Sequence, residues 1–367
     1  MILENISLLY FKNYEEANLP FSPHINCFIG DNGSGKTNLL DAIYYLSMTK
    51  SAFTSSDLQN VKQDEEYFMV RGKFNVLTRQ DVIQCTFRTG QKKIIIHNKT
   101  PYEKVSEHIG RYPVVLISPY DTDLIREGSE ERRKYFDSLL SQLNQEYLNT
   151  LILYNYLLKQ RNSLLKQFYD RKYFDPDYLQ ILDEQLVPAG EEVSRVRQEF
   201  LKQFVPIFQK HYQHLTDSSE EVKLEFKSNL PQNNFALLLA EAQRKDLVLQ
   251  RTTVGPHKED FTFLMNSWPI KNYGSQGQQK SYVIALKLAH FEIVAQHKGQ
   301  KPLLLLDDIF DRLDEKRIAK LMQLVADQTF GQLFITDSQW ERTNNIVAGL
   351  SENIARFRVA NGTVQRV

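Results

Sequence analysis

The stretch GDNGSGKTN, residues 30–38, follows the short apolar run INCFI and precedes NLLDAIYYLS, whose apolar residues recur at helical spacing. It fits the pattern G-x-x-x-x-G-K-[ST] through Gly30, Gly35, Lys36 and Thr37, in the strand, loop, helix setting that gives the pattern its meaning. Glycines let successive backbone N–H groups converge on phosphate oxygens, and the helix that follows turns its positive end towards the same anion. Gly30, Asp31, Asn32, Gly33, Ser34, Gly35, Lys36, Thr37 and Asn38 are therefore the predicted phosphate-binding residues. Lys36 supplies a point charge between the β and γ phosphates, and the Thr37 hydroxyl ligates Mg2+. The loop implies an α/β fold with a nucleotide at the end of a strand.

Such a site needs a carboxylate for the metal at the end of a neighbouring strand. PLLLLDD, residues 302–308, supplies it: a strand buried on both faces reads as a continuous apolar run, and this one ends in Asp307 and Asp308. Asp307 is expected to reach the metal through water and Asp308 to polarise the attacking water. Lys36 and Asp307 lie 307 − 36 = 271 positions apart, too far for a compact P-loop domain, so a large insertion separates the two halves.

A third element, YGSQGQQK at 273–280, opens the helix before the Asp307 strand. Ser275 and Gln278 have capping-box spacing, and Gly277 removes a side chain from the first turn. The result is a bare helix N-terminus suited to an anion. An ordinary capped helix accounts for the same residues, so the pattern gains force only from its position upstream of Asp307.

Composition sets outer bounds. The 367 residues favour two lobes; 42% hydrophobic and 25% charged residues are ordinary for a soluble chain, and no apolar run approaches the ~20 residues of a membrane span. The N-terminus, MILENISLLYFKNYEE, has no basic leader and carries a glutamate in its apolar stretch, which predicts a cytoplasmic protein. Cys27 and Cys85 sit in strand-like runs and read as reduced core residues. Lys plus Arg and Asp plus Glu are both 45, so any polyanion site must come from local clusters. Two windows stand out: Arg88 to Lys104 with five cations against Glu103, and Lys159 to Lys172 with five against Asp170. Solvated faces of a hairpin and a helix account for each cluster equally well.

The first 120 residues read as β-rich with one helix, through runs such as YFMVRGKF, DVIQCTF and KKIIIHN. From Ser129 to about His214 the spacing turns helical, with Phe136, Leu139, Leu140, Leu143, Tyr147 and Leu148 on one stripe, Ser129 as the cap and Pro188-Ala189-Gly190 as an interruption. DSSEEVKLEFKS near 217–228 reads as a loop entering a strand. Beyond about 246 come a strand at FTFLM, helices from Ser275 and Leu313, and a strand at GQLFITD. The expected architecture is an α/β, ABC-type P-loop ATPase head (1–120 and 246–367) split by a mainly helical lobe (121–245).

S-x-G-Q at 275–278 resembles the signature motif of ABC-type ATPases, and DDIFDRLDEKR, with Asp311 to Asp314, resembles their D-loop. LLYFKNYEEANLPF, SPYDTDLIREGSEERRKYFD, LLKQRNSLLK and RTTVGPHKEDFTF extend the likeness over nearly the whole chain, which resembles the RecF family of ABC/SMC-like ATPases; GPHKED and the Gly128 to Asp137 segment are the most specific parts. The resemblance implies ATP and Mg2+ as cofactors, an ATP-dependent head-to-head homodimer in which Ser275, Gly277 and Gln278 face the partner's ATP, and a phosphate contact from Lys12. It implies a slow, DNA-stimulated ATPase in recombinational gap repair, engaging gapped DNA at single/double-strand junctions and helping RecO and RecR load recombinase onto strands coated by single-strand-binding protein. Lys92, Lys93, Arg132, Arg133, Lys159 and Arg161 become candidate DNA contacts, with pairing inside the protein as the competing role of Arg132 and Arg133.

There are departures. Tyr120 stands where an acidic residue is expected, leaving Asp121 or Asp123 to serve; no histidine follows Thr336; no glutamine is assigned to a Q-loop; and Asp308 replaces a glutamate one methylene longer, which predicts slow hydrolysis. A transporter's nucleotide-binding subunit would place its signature far closer to the phosphate loop than 275 − 36 = 239 residues, and a structural SMC-like protein would need coiled-coil arms that this length cannot hold.

Overall fold

A computed structural model describes residues 1–217, 220–230, 234–310, 314–326, 329–351 and 353–367. The strands are β1 (Ile2–Phe11), β2 (Tyr14–Pro20), β3 (Ile25–Ile29), β4 (Tyr67–Val76), β5 (Arg79–Arg88), β6 (Ile94–His97), β7 (Thr100–Pro101), β8 (Val114–Ile117), β9 (Val222–Lys227), β10 (Asp260–Met265), β11 (Trp268–Pro269), β12 (Leu303–Leu306), β13 (Leu333–Asp337), β14 (Ile354–Ala360) and β15 (Thr363–Arg366). The helices are α1 (Lys36–Met48), α2 (Asp123–Arg126), α3 (Ser129–Leu143), α4 (Gln145–Arg171), α5 (Pro176–Thr216), α6 (Phe235–Leu249), α7 (Ile270–Tyr273), α8 (Gln276–Lys298), α9 (Glu315–Ala326) and α10 (Trp340–Val347). The chain divides into two units, Met1–Thr122 with His211–Ser218 and Lys280–Val367, and Asp123–Lys210 with Ser219–Gln279. Residues 246–279, grouped with the head on sequence alone, fall in the second unit in this division.

The first unit is built on two six-stranded sheets. One is antiparallel, in the order β2-β1-β4-β5-β6-β7, and the other runs β15-β14-β3-β13-β12-β8 with every pair parallel except β14 with β15. Their sequences differ because their burial differs. β4 alternates, hiding Phe68, Val70 and Phe74, whereas β3, β8, β12 and β13 are buried at every position and so read as unbroken apolar runs. Leu39, Leu40, Ile43 and Leu46 of α1 share one core with Leu3, Ile6, Phe68 and Ile83 of the antiparallel sheet and with Phe28, Leu303, Leu305 and Phe334 of the parallel one. Each fully buried leucine of β12 contributes about 1.5–3 kcal/mol. Both cysteines are free and buried in strands, and desolvation pushes each thiol up to about 12. Asp121 accepts from the Ser118 N–H at 2.7 Å and pairs with Lys287 at 2.7 Å.

One topological expectation needs correcting. The phosphate-loop strand β3 and the carboxylate strand β12 are not neighbours, because β13 lies between them. The two strands are bridged by β13.

In the second unit the helical stripe breaks at Asn144, whose side chain caps α4 by accepting from the N–H groups of Glu146 and Tyr147. The cap of α3 is Gly128 and not Ser129. Pro188-Ala189-Gly190 does not interrupt α5, which runs through it. A Cβ at Gly190 would come within 2.5 Å of the Phe235 ring, so the glycine serves close packing against α6, and that packing offsets the hydrogen bond that Pro188 cannot donate. The three-stranded sheet β11-β10-β9 completes this unit, with β9 and β10 where the sequence placed strands. The predicted helix start at Leu313 lies outside the described residues; α9 is described from Glu315.

Candidate functional site: a phosphate loop facing two aspartates

The loop after Ile29 takes the shape its glycines allow. Gly33 and Gly35 have φ of +80° and +114°, which a side chain rarely adopts. A Cβ at Gly35 would also sit 2.4 Å from Asn13 Nδ2 and 3.0 Å from the Tyr14 hydroxyl. The loop is held from behind: the Tyr14 hydroxyl donates to the Gly35 carbonyl at 2.9 Å, Asn13 Nδ2 to the Ser34 carbonyl at 3.3 Å, and Gly362 N–H to the same carbonyl at 3.2 Å. Asn38 donates to Asn13 Oδ1 at 2.7 Å. Nothing in the sequence spacing of Asn13 and Tyr14 shows that they grip the loop.

Lys36 is 4% exposed, and its ammonium donates to the Gly30 and Asp31 carbonyls at 2.8 and 3.0 Å. Among the described residues no carboxylate pairs with it. A buried cation that donates to neutral carbonyls fits an anionic ligand. At the far side the Thr37 hydroxyl lies 3.0 and 3.1 Å from the two oxygens of Asp307, so the structure brings these two halves of the motif together over 270 residues. Burial first, against hydrogen bonds from Thr336 and Thr37, raises the Asp307 carboxyl to about 6. Among the described residues there is no cluster of three or more His, Cys, Asp or Glu side chains that would cage a metal. The Thr37 and Asp307 pair fits instead a Mg2+ that takes its remaining ligands from phosphate and water, as this ion commonly does.

Thr336, at the end of β13, was not assigned a role from sequence. Its hydroxyl donates to Asp307 Oδ1 at 2.8 Å and accepts from the Asp308 N–H at 2.9 Å. The next residue, Asp337, is anchored by Arg342 and by the Thr343 hydroxyl at 2.7 Å.

The second unit carries the signature residues. Ser275 and Gln278 form the predicted capping box: Gln278 N–H donates to Ser275 Oγ at 3.2 Å and Ser275 N–H to Gln278 Oε1 at 2.7 Å. Gln278 also donates to Glu220 at 2.6 Å, Ser275 is exposed, and Gly277 lies in the first turn of α8. Of the proposed D-loop, residues 311–313 lie outside the described residues.

Several candidate cations prove to be committed within the chain. Lys12 pairs with the buried Asp41 at 2.6 Å and lies over the Phe53 ring, so a phosphate contact would require it to leave a counter-ion. Lys93 pairs with Asp57 at 3.0 Å and donates to the Thr49 carbonyl. Arg132 forks onto Asp260 at 2.8 and 3.1 Å, and Arg133 donates to the Glu259 carbonyl at 2.6 Å. Arg161 needs outright correction as a DNA contact: it is wholly buried between Asp183 and Asp246, both at 2.6 Å. Lys92 and Lys159 are exposed.

GPHKED is the hub of the second unit. Gly255 has φ +121°, with Phe235 and Tyr154 packed where a Cβ would go. Tyr154 donates to His257 Nδ1 at 2.6 Å while His257 Nε2 donates to the Thr252 carbonyl at 3.0 Å, and burial holds this imidazole down at about 4. Glu259 accepts from Arg197 at 2.8 Å and from the Ser194 and Ser228 hydroxyls at 2.5 and 2.6 Å.

A parallel sheet with phosphate loop and paired aspartates at its strand ends, joined to an antiparallel sheet, defines an ABC/SMC-type P-loop ATPase head. The family described as RecF/RecN/SMC N terminal domain matches residues 2–364, and an Smc head bound to the C-winged helix domain of ScpA shares the fold at TM-score 0.58 and 16% identity, covering 100% of this chain and 97% of that one. DNA replication and repair protein RecF of Flavobacterium johnsoniae is 48% identical over 98% of this chain and 100% of its own, and that of Cytophaga hutchinsonii 46% over 100% and 97%. A solved structure of the recombination mediator protein RecF with ATP, in the RecFOR pathway, superposes at TM-score 0.90 with 32% identity, covering 100% of this chain and 97% of that one. The chain belongs to the RecF family.

Proposed function

We propose that this chain is an ATP-dependent DNA-binding protein of recombinational gap repair. ATP and Mg2+ bind at the phosphate loop; two heads then close on one another, each offering Ser275 and the first turn of α8 to the partner's ATP. The closed dimer engages gapped DNA at single/double-strand junctions and acts with RecO and RecR in loading recombinase. The observation that carries the ATP reading is the pairing of Thr37 with Asp307 beside a buried Lys36 that has no carboxylate partner among the described residues. The relatives' names, and the ATP in the solved RecF structure, support the repair and nucleotide assignments.

Bound nucleotide supplies the phosphoanhydride and Mg2+ its Lewis acidity; the chain's residues position them. Lys36 is already placed where the phosphates would come, and moving its ammonium from carbonyls to phosphate exchanges dipoles for full charges. Thr37 and Asp307 orient the metal, and Asp308, following at the strand end, orients water. Hydrolysis is slow on this account, since Asp308 is the shorter acid. DNA contacts go to exposed cations, Lys92 and Lys159 foremost, and such backbone contacts carry little sequence preference.

The shared-site feature has its own test. Ser275 is exposed and its box is local, so Ser275→Arg is expected to fold and bind ATP as the unmodified protein does, yet to remain monomeric when ATP and Mg2+ are added. Size-exclusion chromatography with light scattering reads this directly. A variant that still dimerises with ATP contradicts the shared site.

A further inference from the structure

β13 runs between the two strands that carry the nucleotide site, with Thr336 opposite Phe28 of β3 and Ile335 opposite Leu306 of β12. Thr336 is fully buried. Its one hydroxyl serves both acids: it donates to Asp307 Oδ1 at 2.8 Å and accepts from the Asp308 backbone N–H at 2.9 Å. Asp308 has φ +42°, in the left-handed region that a residue with a side chain enters at a cost and holds only when its surroundings impose it. The same hydroxyl thus fixes the orientation of the first carboxylate and ties down the backbone from which the second projects. Thr37, in the first turn of α1, also donates to Asp307, so the carboxylate is gripped between two hydroxyls, one following the phosphate loop and one on the strand between.

We propose that Thr336 is a positioning residue of the nucleotide site, acting on the metal through Asp307 and on the attacking water through Asp308. The inference rests on the ATP reading above. A hydroxyl that merely satisfied buried polar groups would affect stability, not the coupling between metal and nucleotide. Valine keeps the shape of threonine and removes the hydroxyl; serine keeps the hydroxyl and removes a methyl.

The test uses the full chain and isothermal titration with ATPγS, with and without Mg2+. Without metal, the original protein, Thr336→Val and Thr336→Ser are expected to bind the analogue equally. Mg2+ tightens binding to the original protein, and Thr336→Val is expected to lose about 10–100-fold of that tightening, the scale of groups that orient a metal's ligands. Its ATP turnover falls and its KM for ATP in the presence of Mg2+ rises with the weakened binding, while Thr336→Ser recovers both quantities. If Thr336→Val is insoluble, Thr336→Ala makes the same comparison with Thr336→Ser. Full Mg2+ tightening in a variant lacking the hydroxyl overturns the inference. No Mg2+ effect in the original protein would instead overturn the ATP reading itself.

Discussion

Lys36→Arg is expected to keep nucleotide bound while lowering ATP turnover by about 10²–10³-fold, the usual effect of losing one preorganised hydrogen-bond donor at a reacting group. The lysine stem is buried and its compact ammonium reaches two loop carbonyls, Gly30 and Asp31, at 2.8 and 3.0 Å. A planar guanidinium spreads the charge over a fork and demands more width than this enclosed position gives. It still supplies a positive charge near the phosphates, so binding survives where turnover does not. Steady-state hydrolysis beside equilibrium ATP binding separates the two. Turnover within threefold of the unmodified protein would take Lys36 out of the mechanism.

The second large effect concerns stability. Arg197 is 3% exposed and joins four segments: it forks onto Asp137 of α3 at 2.9 and 2.8 Å, meets the Tyr147 hydroxyl of α4 at 3.3 Å, and donates to the Pro256 carbonyl at 2.9 Å and to Glu259 at 2.8 Å. Arg197→Ala strands two carboxylates with little access to water and opens a cavity the size of the side chain. Breaking one side of such a buried network costs about 3–5 kcal/mol, most of it the penalty of the charges left behind and not the net worth of the pairs. Chemical denaturation monitored on the full chain should show that loss in the transition of the second unit. A loss below about 1 kcal/mol would mean that water reaches Asp137 and Glu259 as they stand.

These two variants mark what could and could not be read from sequence. The phosphate loop was legible because its chemistry is local: the positive φ values of Gly33 and Gly35, the lysine and the threonine fall within five positions. Asp307 was legible as the first polar residue after a strand buried on both faces, and the structure sets it beside Thr37. The capping box was legible because its two partners are three residues apart. Thr336 was not, since its meaning depends on β13 lying between β3 and β12, and strand order is invisible in one sequence. The same limit explains the cations. Arg161 stood in a basic window, but the carboxylates that neutralise it, Asp183 and Asp246, lie 22 and 85 residues away. Lys93 likewise meets Asp57 across the fold. A charge cluster in sequence shows where cations are dense and says nothing of what faces them.

The helical lobe gives the complementary lesson. Periodicity found the helices but ran past Asn144, because the apolar stripe continues on both sides of a residue whose side chain starts a new helix. Pro188 misled in the other direction: α5 continues through it, stabilised by the packing that places Phe235 against Gly190. At Asn144 a local cap overrode the continuing apolar stripe, and at Pro188 tertiary packing overrode local propensity.

ATP holding two copies of this chain together on DNA is the central claim, and sedimentation velocity on a gapped duplex tests it most directly. With ATP and Mg2+ the account predicts a species containing two chains on the DNA, which reverts to single chains when the nucleotide is omitted. A single chain on the DNA at saturating ATP and Mg2+ would contradict it.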